Sequence, residues 1–293
     1  GITTVTYTVK DAAGNTTTCS YTVTVNDASI PVISGQPTNQ FVCVGSNGAF
    51  SVTATAGAGN PLTYQWQGWN GSAWVNIAGA TNATLPLNAV TFSMNTNSYR
   101  VILTGRCSVV TSGFATLYVN RLPTVVLAAS RIPILLPTES VNLVVTADPA
   151  GGTYQWYLNG SATPIPGVTG ATYAGLTVDN IGTYTVKYTD LNGCVSTTNA
   201  ITVSGAPTGN LYVYPNPNFG QFSVRFFNQP GESATITVFD AKGTRVFQRQ
   251  LVTTTAYTKL DVDISSASSG VYIVEVVNAA GEKVGSKRII VRH

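Results

Sequence analysis

The sequence is poor in charge, in histidine and in long apolar runs, and each shortage excludes something. Only 9% of the 293 residues are charged, and the single histidine is the terminal His293. Without an interior histidine, neither a Ser-His-Asp nor a Cys-His nucleophile can be assembled. Residues 1–210 hold one glutamate, Glu139, and five aspartates, at 11, 27, 148, 179 and 190. Most of these fall at turns, which is poor material for the facing carboxylates of a glycosidase cleft. Four cysteines, Cys19, Cys43, Cys107 and Cys194, show no C-x-x-C spacing, so the usual ligands make no metal cluster. No segment reaches the ~18 uninterrupted apolar residues of a membrane span. The most apolar stretch, VVLAASRIPILL, is cut by Arg131 and Pro133. No Gly-rich loop leads into a helix pattern. The expectation is a chain with no catalytic residue, no cofactor and no metal.

What is present is Thr, Val, Tyr, Gly and Asn in alternating runs, a mixture that favours strands. The length allows two to four domains of about 100 residues. The chain opens at Gly1 directly into the alternating ITTVTYTV, with no leader pattern, and is read as a piece whose upstream part is missing. Charge is unevenly placed. Residues 211–293 hold nine Lys/Arg and six Asp/Glu, net +3, against six of each in residues 1–210. That shift marks a domain boundary. The excess, interspersed with acids, forms no basic stripe of the kind that binds nucleic acid.

An internal repeat organises the middle of the chain. Tyr64-Gln65-Trp66 recurs as Tyr154-Gln155-Trp156, 90 residues on. Each tripeptide is preceded by an alternating strand and followed by a tyrosine segment, at Tyr99 and Tyr184. A Trp in the third strand filling the space between two sheets is the plan of an immunoglobulin-like sandwich. Asp179-Asn180-Ile181-Gly182-Thr183-Tyr184 fits a tyrosine corner, with Asp179 expected to fix its turn. Trp66, Trp156, Tyr99 and Tyr184 are the expected core. Val101 and Val186 stand two residues after the tyrosines, where that fold often has its inter-sheet cysteine, so apolar packing must replace the bridge. Cys43 and Cys107 lie at strand ends and are expected to staple one rim, worth about 4 kcal/mol on the chain-entropy account. No partner for Cys194 is evident in its own repeat. A thiol is expected there, with an inter-chain bridge as the alternative.

The expected fold is all-β: tandem immunoglobulin-like sandwiches followed by a small C-terminal β-sandwich. Residues 1–27 give two strands and a Gly-Asn turn, too little for a core. Residues 28–121 and 122–204 are the two sandwiches, and 205–210, within the small-residue stretch SGAPTGN at 204–210, is the linker. Residues 211–293 read as seven strands, near 211–214, 221–227, 234–239, 244–251, 257–263, 271–277 and 284–291. In the sixth, Val271, Ile273 and Val276 are read as one face and Tyr272, Val274 and Glu275 as the other. Two further features carry less. Trp69 and Trp74, in a hairpin after Trp66, could stack on sugars, but Trp74 is read as covering a core edge and Trp69 as incidental. Asp261 and Asp263 share a strand face, too few oxygens for calcium.

Two segments resemble known families. TVTYTVKDAAGNTTTCSYTVTV is similar to the end of a HYR repeat, an extracellular immunoglobulin-like module; the resemblance implies an upstream partner for Cys19. LYVYPNPNFGQFSV, ITVFDAKGTRVF, LDVDISSASSGVYIVEV and GEKVGSKRIIV, in that order, resemble the type A C-terminal sorting domain of the type IX secretion system of Bacteroidetes. The motif positions are Tyr214, Pro215, Asn216, Pro217 and Gly220; Asp240 and Gly243; Gly270, Val271 and Tyr272; and Lys287 and Arg288. The resemblance implies that these are candidates for recognition by a translocon with its outer-membrane shuttle and sortase components. It implies delivery to the outer cell surface of a Gram-negative bacterium, cleavage within 204–210, and attachment of the remainder to surface lipopolysaccharide or glycan. The function expected is a surface stalk or adhesin exported this way. The alternative is the accessory region of a larger secreted hydrolase whose catalytic part lies upstream.

Overall fold

The computed structural model describes residues 1–24, 30–56, 61–106 and 108–293. It is built of strands joined by turns, with two single-turn 3-10 segments at Phe92–Met94 and Val178–Asn180. No helix among the described residues is long and apolar enough to cross a membrane. The chain divides into two compact units, Gly1–Leu122 and Pro123–His293.

The first unit opens with a hairpin, Ile2–Lys10 against Thr16–Thr24, in unbroken register from Ile2↔Thr24 to Lys10↔Thr16. Nearly every residue of it is exposed. Two strands have no second layer to bury a face against. The sandwich that follows has one large sheet, ordered Gln40–Cys43, Ala115–Asn120, Ser98–Thr104, Thr63–Trp69, Trp74–Asn76. Its opposite layer is two ribbons, Val32–Gly35 with Thr53–Thr55 and Gly48–Ser51 with Thr84–Leu87. Between the layers lie Phe50, Trp66, Val101, Leu103 and Leu117, all without solvent exposure.

The second unit holds two sandwiches. In the first, Thr124–Ala129, Val141–Asp148 and Thr172–Leu176 face a sheet ordered Ile134–Leu135, Ile201–Gly205, Gly182–Thr189, Thr153–Leu158. The repeat seen in sequence is a repeat of contacts. Trp66 Nε1 donates to the Asn82 carbonyl and Trp156 Nε1 to that of Gly170, each at 2.9 Å. Val101 stands opposite Trp66 and Val186 opposite Trp156. A buried hydroxyl serves each valine amide: Ser112 Oγ accepts from Val101 at 2.9 Å and Thr198 Oγ1 from Val186 at 3.0 Å. The Tyr184 hydroxyl donates to the Asn180 carbonyl at 2.7 Å, closing the corner. Burial pushes that phenol up to about 12, with Tyr173 adding to the shift.

The terminal sandwich has all seven expected strands. Tyr212–Tyr214, Gln221–Arg225 and Leu260–Asp263 form one layer. Arg245–Val252, Ser233–Phe239, Gly270–Asn278 and Lys283–Val291 form the other, in that order. Its core centres on Val224, Ile236, Val238, Val274, Val276 and Ile289. The sixth strand alternates strictly. Tyr272, Val274 and Val276 point inward, and Val271, Ile273 and Glu275 outward. This corrects the mixed faces expected there, because the period of two runs unbroken through Val276 and the register shift falls only after it, between Val276 and Val277.

Three other expectations are corrected. Gly205 is not linker: it ends the strand Ile201–Gly205 and is buried. Cys43 and Cys194 are each disulfide-bonded, so Cys194 is not a thiol. It is fully buried, and its amide donates to Asp190 Oδ1 at 2.8 Å. Cys107, the expected partner of Cys43, lies outside the described residues, as does Asp27. Cys19 is an exposed thiol in this chain. Finally, Asp179 does not fix the corner turn. Thr177 and Asn180 cap it reciprocally, which leaves the Asp179 carboxylate available to a partner described below.

Candidate recognition end of the terminal sandwich

The four separated motifs of the terminal sandwich meet at one end of its four-stranded sheet. The register places Gly270 opposite Val291 and Tyr272 opposite Ile289. Phe239, just before the Asp240 turn, lies opposite Ile273, so this turn projects from the same end. The Pro-Asn-Pro loop closes onto the last strand. Asn216 Nδ2 donates to the Arg288 carbonyl at 3.1 Å, and Asn216 Oδ1 accepts from the Ile290 amide at 2.9 Å. Asn218 then pairs in parallel with Val291. Its amide donates to the Ile290 carbonyl at 2.9 Å, and its carbonyl accepts from Arg292 at 2.8 Å. Pro215 and Pro217 have no amide hydrogen to offer, so the loop bonds through its asparagines. An otherwise open edge is capped along Arg288–Arg292, the kind of edge that invites unwanted pairing.

Each motif residue can now be placed. Tyr214 is exposed in part and its hydroxyl accepts from Arg225 Nε at 2.6 Å. Gly220 packs on Ser265. Asp240 ties its turn by accepting from the amides of Lys242 and Thr244, both at 2.8 Å. Those bonds, that from Thr244 foremost, hold its carboxyl below the usual range. Gly243 has φ +82°, left-handed as the turn requires. Tyr272 is buried and its hydroxyl donates to the Ser268 carbonyl at 2.6 Å. Lys287 and Arg288 are exposed on the edge strand, opposite Val274 and Ile273. Around them Phe219, Val271 and Ile273 are left in solvent, at 75%, 42% and 46% exposure. Arg288 shares the outward face of Ile273, whereas Lys287 stands across from inward-facing Val274.

Sequence reading missed Phe219, Asn218, Arg225 and Tyr257. Phe219 is an aromatic at an unspecified place of the Y-P-N-P-x-x-G pattern, a signal that a motif search discards. Arg225 is a lone charge in the otherwise uncharged strand run FSVRFF, which does mark it out. Asp261 and Asp263 hold no open oxygen cage. Asp261 accepts from Ser223 Oγ at 2.6 Å, and Asp263 from Gln221 Nε2 at 3.0 Å and the Ser265 amide at 2.9 Å. In the first unit, Trp69 and Trp74 come together, ring centroids 5.4 Å apart, with Phe114 6.3 Å from Trp74 and the Arg100 guanidinium 4.5 Å over it. Trp69 and Phe114 are 42% and 65% exposed, while Trp74 between them is half-buried.

A chain of tandem β-sandwiches, the last of them carrying the four motifs at one end, is a modular all-β protein. Comparison with known proteins gives the particular kind. Residues 212–292 match the family model described as the secretion system C-terminal sorting domain. Residues 1–25 match the HYR domain, and residues 33–121 a family described as a domain of unknown function. No curated protein matches the chain. Among solved structures, an I-band fragment from titin is 18% identical with a TM-score of 0.36, covering 89% of this chain and 96% of that one. The N-terminal eight Ig domains of Down Syndrome Cell Adhesion Molecule are 16% identical with a TM-score of 0.42, covering 98% of this chain and 39% of that one. The terminal sandwich carries the type IX sorting domain, and the protein is a secreted one whose immunoglobulin-like modules that system exports to the cell surface.

Proposed function

We propose that the chain is the C-terminal part of a surface stalk or adhesin, and that the translocon reads the end of the terminal sandwich where Tyr214–Gly220, Asp240–Gly243, Gly270–Tyr272 and Lys287–Arg288 converge. The carrying observation is the convergence itself, together with Phe219, Val271 and Ile273 left uncovered there. A recognition surface needs a stable shape with exposed apolar anchors and a polar rim. The buried members, Tyr272 and Asn218, supply the shape, and Phe219, Ile273, Lys287 and Arg288 supply the contacts. Shuttle and sortase components would then act on the bound domain and attach the remainder to surface lipopolysaccharide or glycan. Nothing in this role asks the chain for catalysis. The test is export of Phe219→Asp with Ile273→Asp in a type IX-competent bacterium. Both positions are exposed, so folding should be retained, and the protein should accumulate in the periplasm. Unchanged surface display would refute this docking face.

A second observation favours adhesion over a bare stalk. The Trp69–Trp74–Phe114 cradle has Ser98 in its lining and Arg100 stacked on it. Ring faces beside hydroxyl and guanidinium donors suit a saccharide, whose C–H face stacks while its hydroxyls bond. Glycan-array binding should be measurable and should fall at least tenfold on Trp69→Ala. A blank array with the unaltered protein would leave the modules as spacers, as the accessory-region alternative holds.

A further inference from the structure

The terminal sandwich is not loosely tethered to the module before it. Tyr257, from the sorting domain, has no solvent exposure and belongs to the core of the preceding sandwich, with Tyr212, Phe227 and Ala256 packed beside it. Tyr212 and Phe227 meet its ring edge-on, at 6.0 and 5.8 Å. Buried Gly205, the last residue of the preceding module's strand, lies directly against that ring. A Cβ built there would come within 3.0 Å of it. The Tyr257 hydroxyl donates to the Ala206 carbonyl at 2.7 Å, while the Ala206 amide donates to the Leu135 carbonyl at 2.8 Å. The connecting segment is therefore held from both sides at its first residue.

Beside this wedge lies a clasp. The buried Arg225 guanidinium takes Asp179 of the preceding module in a two-pronged ion pair, 2.7 Å to Oδ1 and 2.8 Å to Oδ2. It also donates to the Tyr257 carbonyl at 2.9 Å and to the Tyr214 hydroxyl at 2.6 Å. Every arm of the fork has an acceptor, which is what a buried cation requires. Tyr214 is the first residue of the Y-P-N-P signature, so the signature is wired to the neighbouring module. The whole arrangement lies within the compact unit Pro123–His293.

We propose that the sorting domain carries a dedicated docking surface for the immunoglobulin-like module before it, and that the docked state shields the segment 206–210 from cutting until this surface releases. A protease needs several residues of extended chain in its cleft. Here Ala206 is pinned at both its amide and its carbonyl, and Thr208 is half-buried, while Pro207, Gly209 and Asn210 are exposed. Cutting adds one water across a peptide C–N bond, hydroxyl to carbon and proton to nitrogen, so nothing but access limits it. The geometry stands whatever the domain is used for; only the meaning of the cut rests on the sorting reading.

The experiment is limited digestion of the full chain by a protease of broad specificity, with cuts mapped by mass spectrometry. The variant is Asp179→Asn with Tyr257→Phe. Asp179 is largely exposed, and phenylalanine keeps the ring of Tyr257, so both sandwiches should persist. Local opening limits the rate when reclosing is fast, and cutting within 206–210 should rise about tenfold. Hydrogen exchange of the Ala206 amide should accelerate by a similar factor, while the amides of Val186 and Val224, in the two cores, keep their protection. An unchanged cutting rate would overturn the proposal. So would equal loss of protection at all three amides, because the two sandwiches would then open only by unfolding together. Neither readout involves export, so failure here is distinct from failure of the sorting reading.

Discussion

Gly220 is the residue with least freedom in the signature. Its φ is +87°, and a Cβ there would stand 2.5 Å from the Ser265 Cα and 2.8 Å from its nitrogen. Both obstacles are backbone, which cannot turn aside as a side chain can. Its amide also donates to the Asn218 side chain at 2.8 Å, joining it to the loop that caps the last strand. Gly270, equally part of a motif, is different in kind. Its φ is not left-handed, and the nearest atom to an added Cβ is the Tyr272 ring at 3.8 Å. Strain and a backbone clash together cost several times an ordinary surface change. Gly220→Ala should therefore destabilise the terminal sandwich by about 3 kcal/mol, and Gly270→Ala by less than ~0.5 kcal/mol. Urea melting of the two variants checks this; equal losses would show that the contact with Ser265 does not constrain Gly220.

Among the described elements, one turn is used four times. Asp11-Ala-Ala-Gly-Asn15, Asp190-Leu-Asn-Gly-Cys194, Asp240-Ala-Lys-Gly-Thr244 and Asn278-Ala-Ala-Gly-Glu282 share one pattern. A side-chain oxygen takes the amides two and four residues on, and a glycine of positive φ stands fourth. Three of these lie outside the D-x-x-G of the sorting resemblance, so turn chemistry accounts for the shape that Asp240 and Gly243 give their hairpin. Local chemistry of this kind is what a sequence shows well. Alternation, the Tyr-Gln-Trp repeat and the Asp-Gly turns revealed the strands, the Trp-centred cores and the seven strands of the last sandwich. What it could not show were meetings across long separations. Asn216 with Ile290, Asp179 with Arg225, and Tyr257 within another module's core depend on how layers dock, and no period encodes that. The same limit explains Cys194, since a repeat shows where a partner is missing and not which sulfur is within reach.

At the scale of the whole molecule, the second unit's stability depends on two buried phenols, one of them in the docking surface. Burial pushes Tyr257 up to about 12, with Tyr212 adding to the effect, and Tyr184 is raised to about 12 for the same first reason. Both sit well above the ~10 of a tyrosine in an unfolded chain. A group whose folded pKa is raised gives its full support below the unfolded value and loses it as pH climbs toward the folded one. The stability of residues 123–293 should thus be flat on this account up to about pH 10 and fall between about pH 10 and 12, by up to ~3 kcal/mol per tyrosine. Tyr184 acts inside one module, whereas Tyr257 joins two. Tyr257→Phe should lower the melting temperature at neutral pH modestly, through the lost bond to the Ala206 carbonyl, and then lose less than the unaltered protein over the alkaline range. Melting curves by circular dichroism at half-unit pH steps resolve the two slopes. If they run parallel, Tyr257 reaches solvent in the folded chain, and the two sandwiches are not joined through a closed interior at that point.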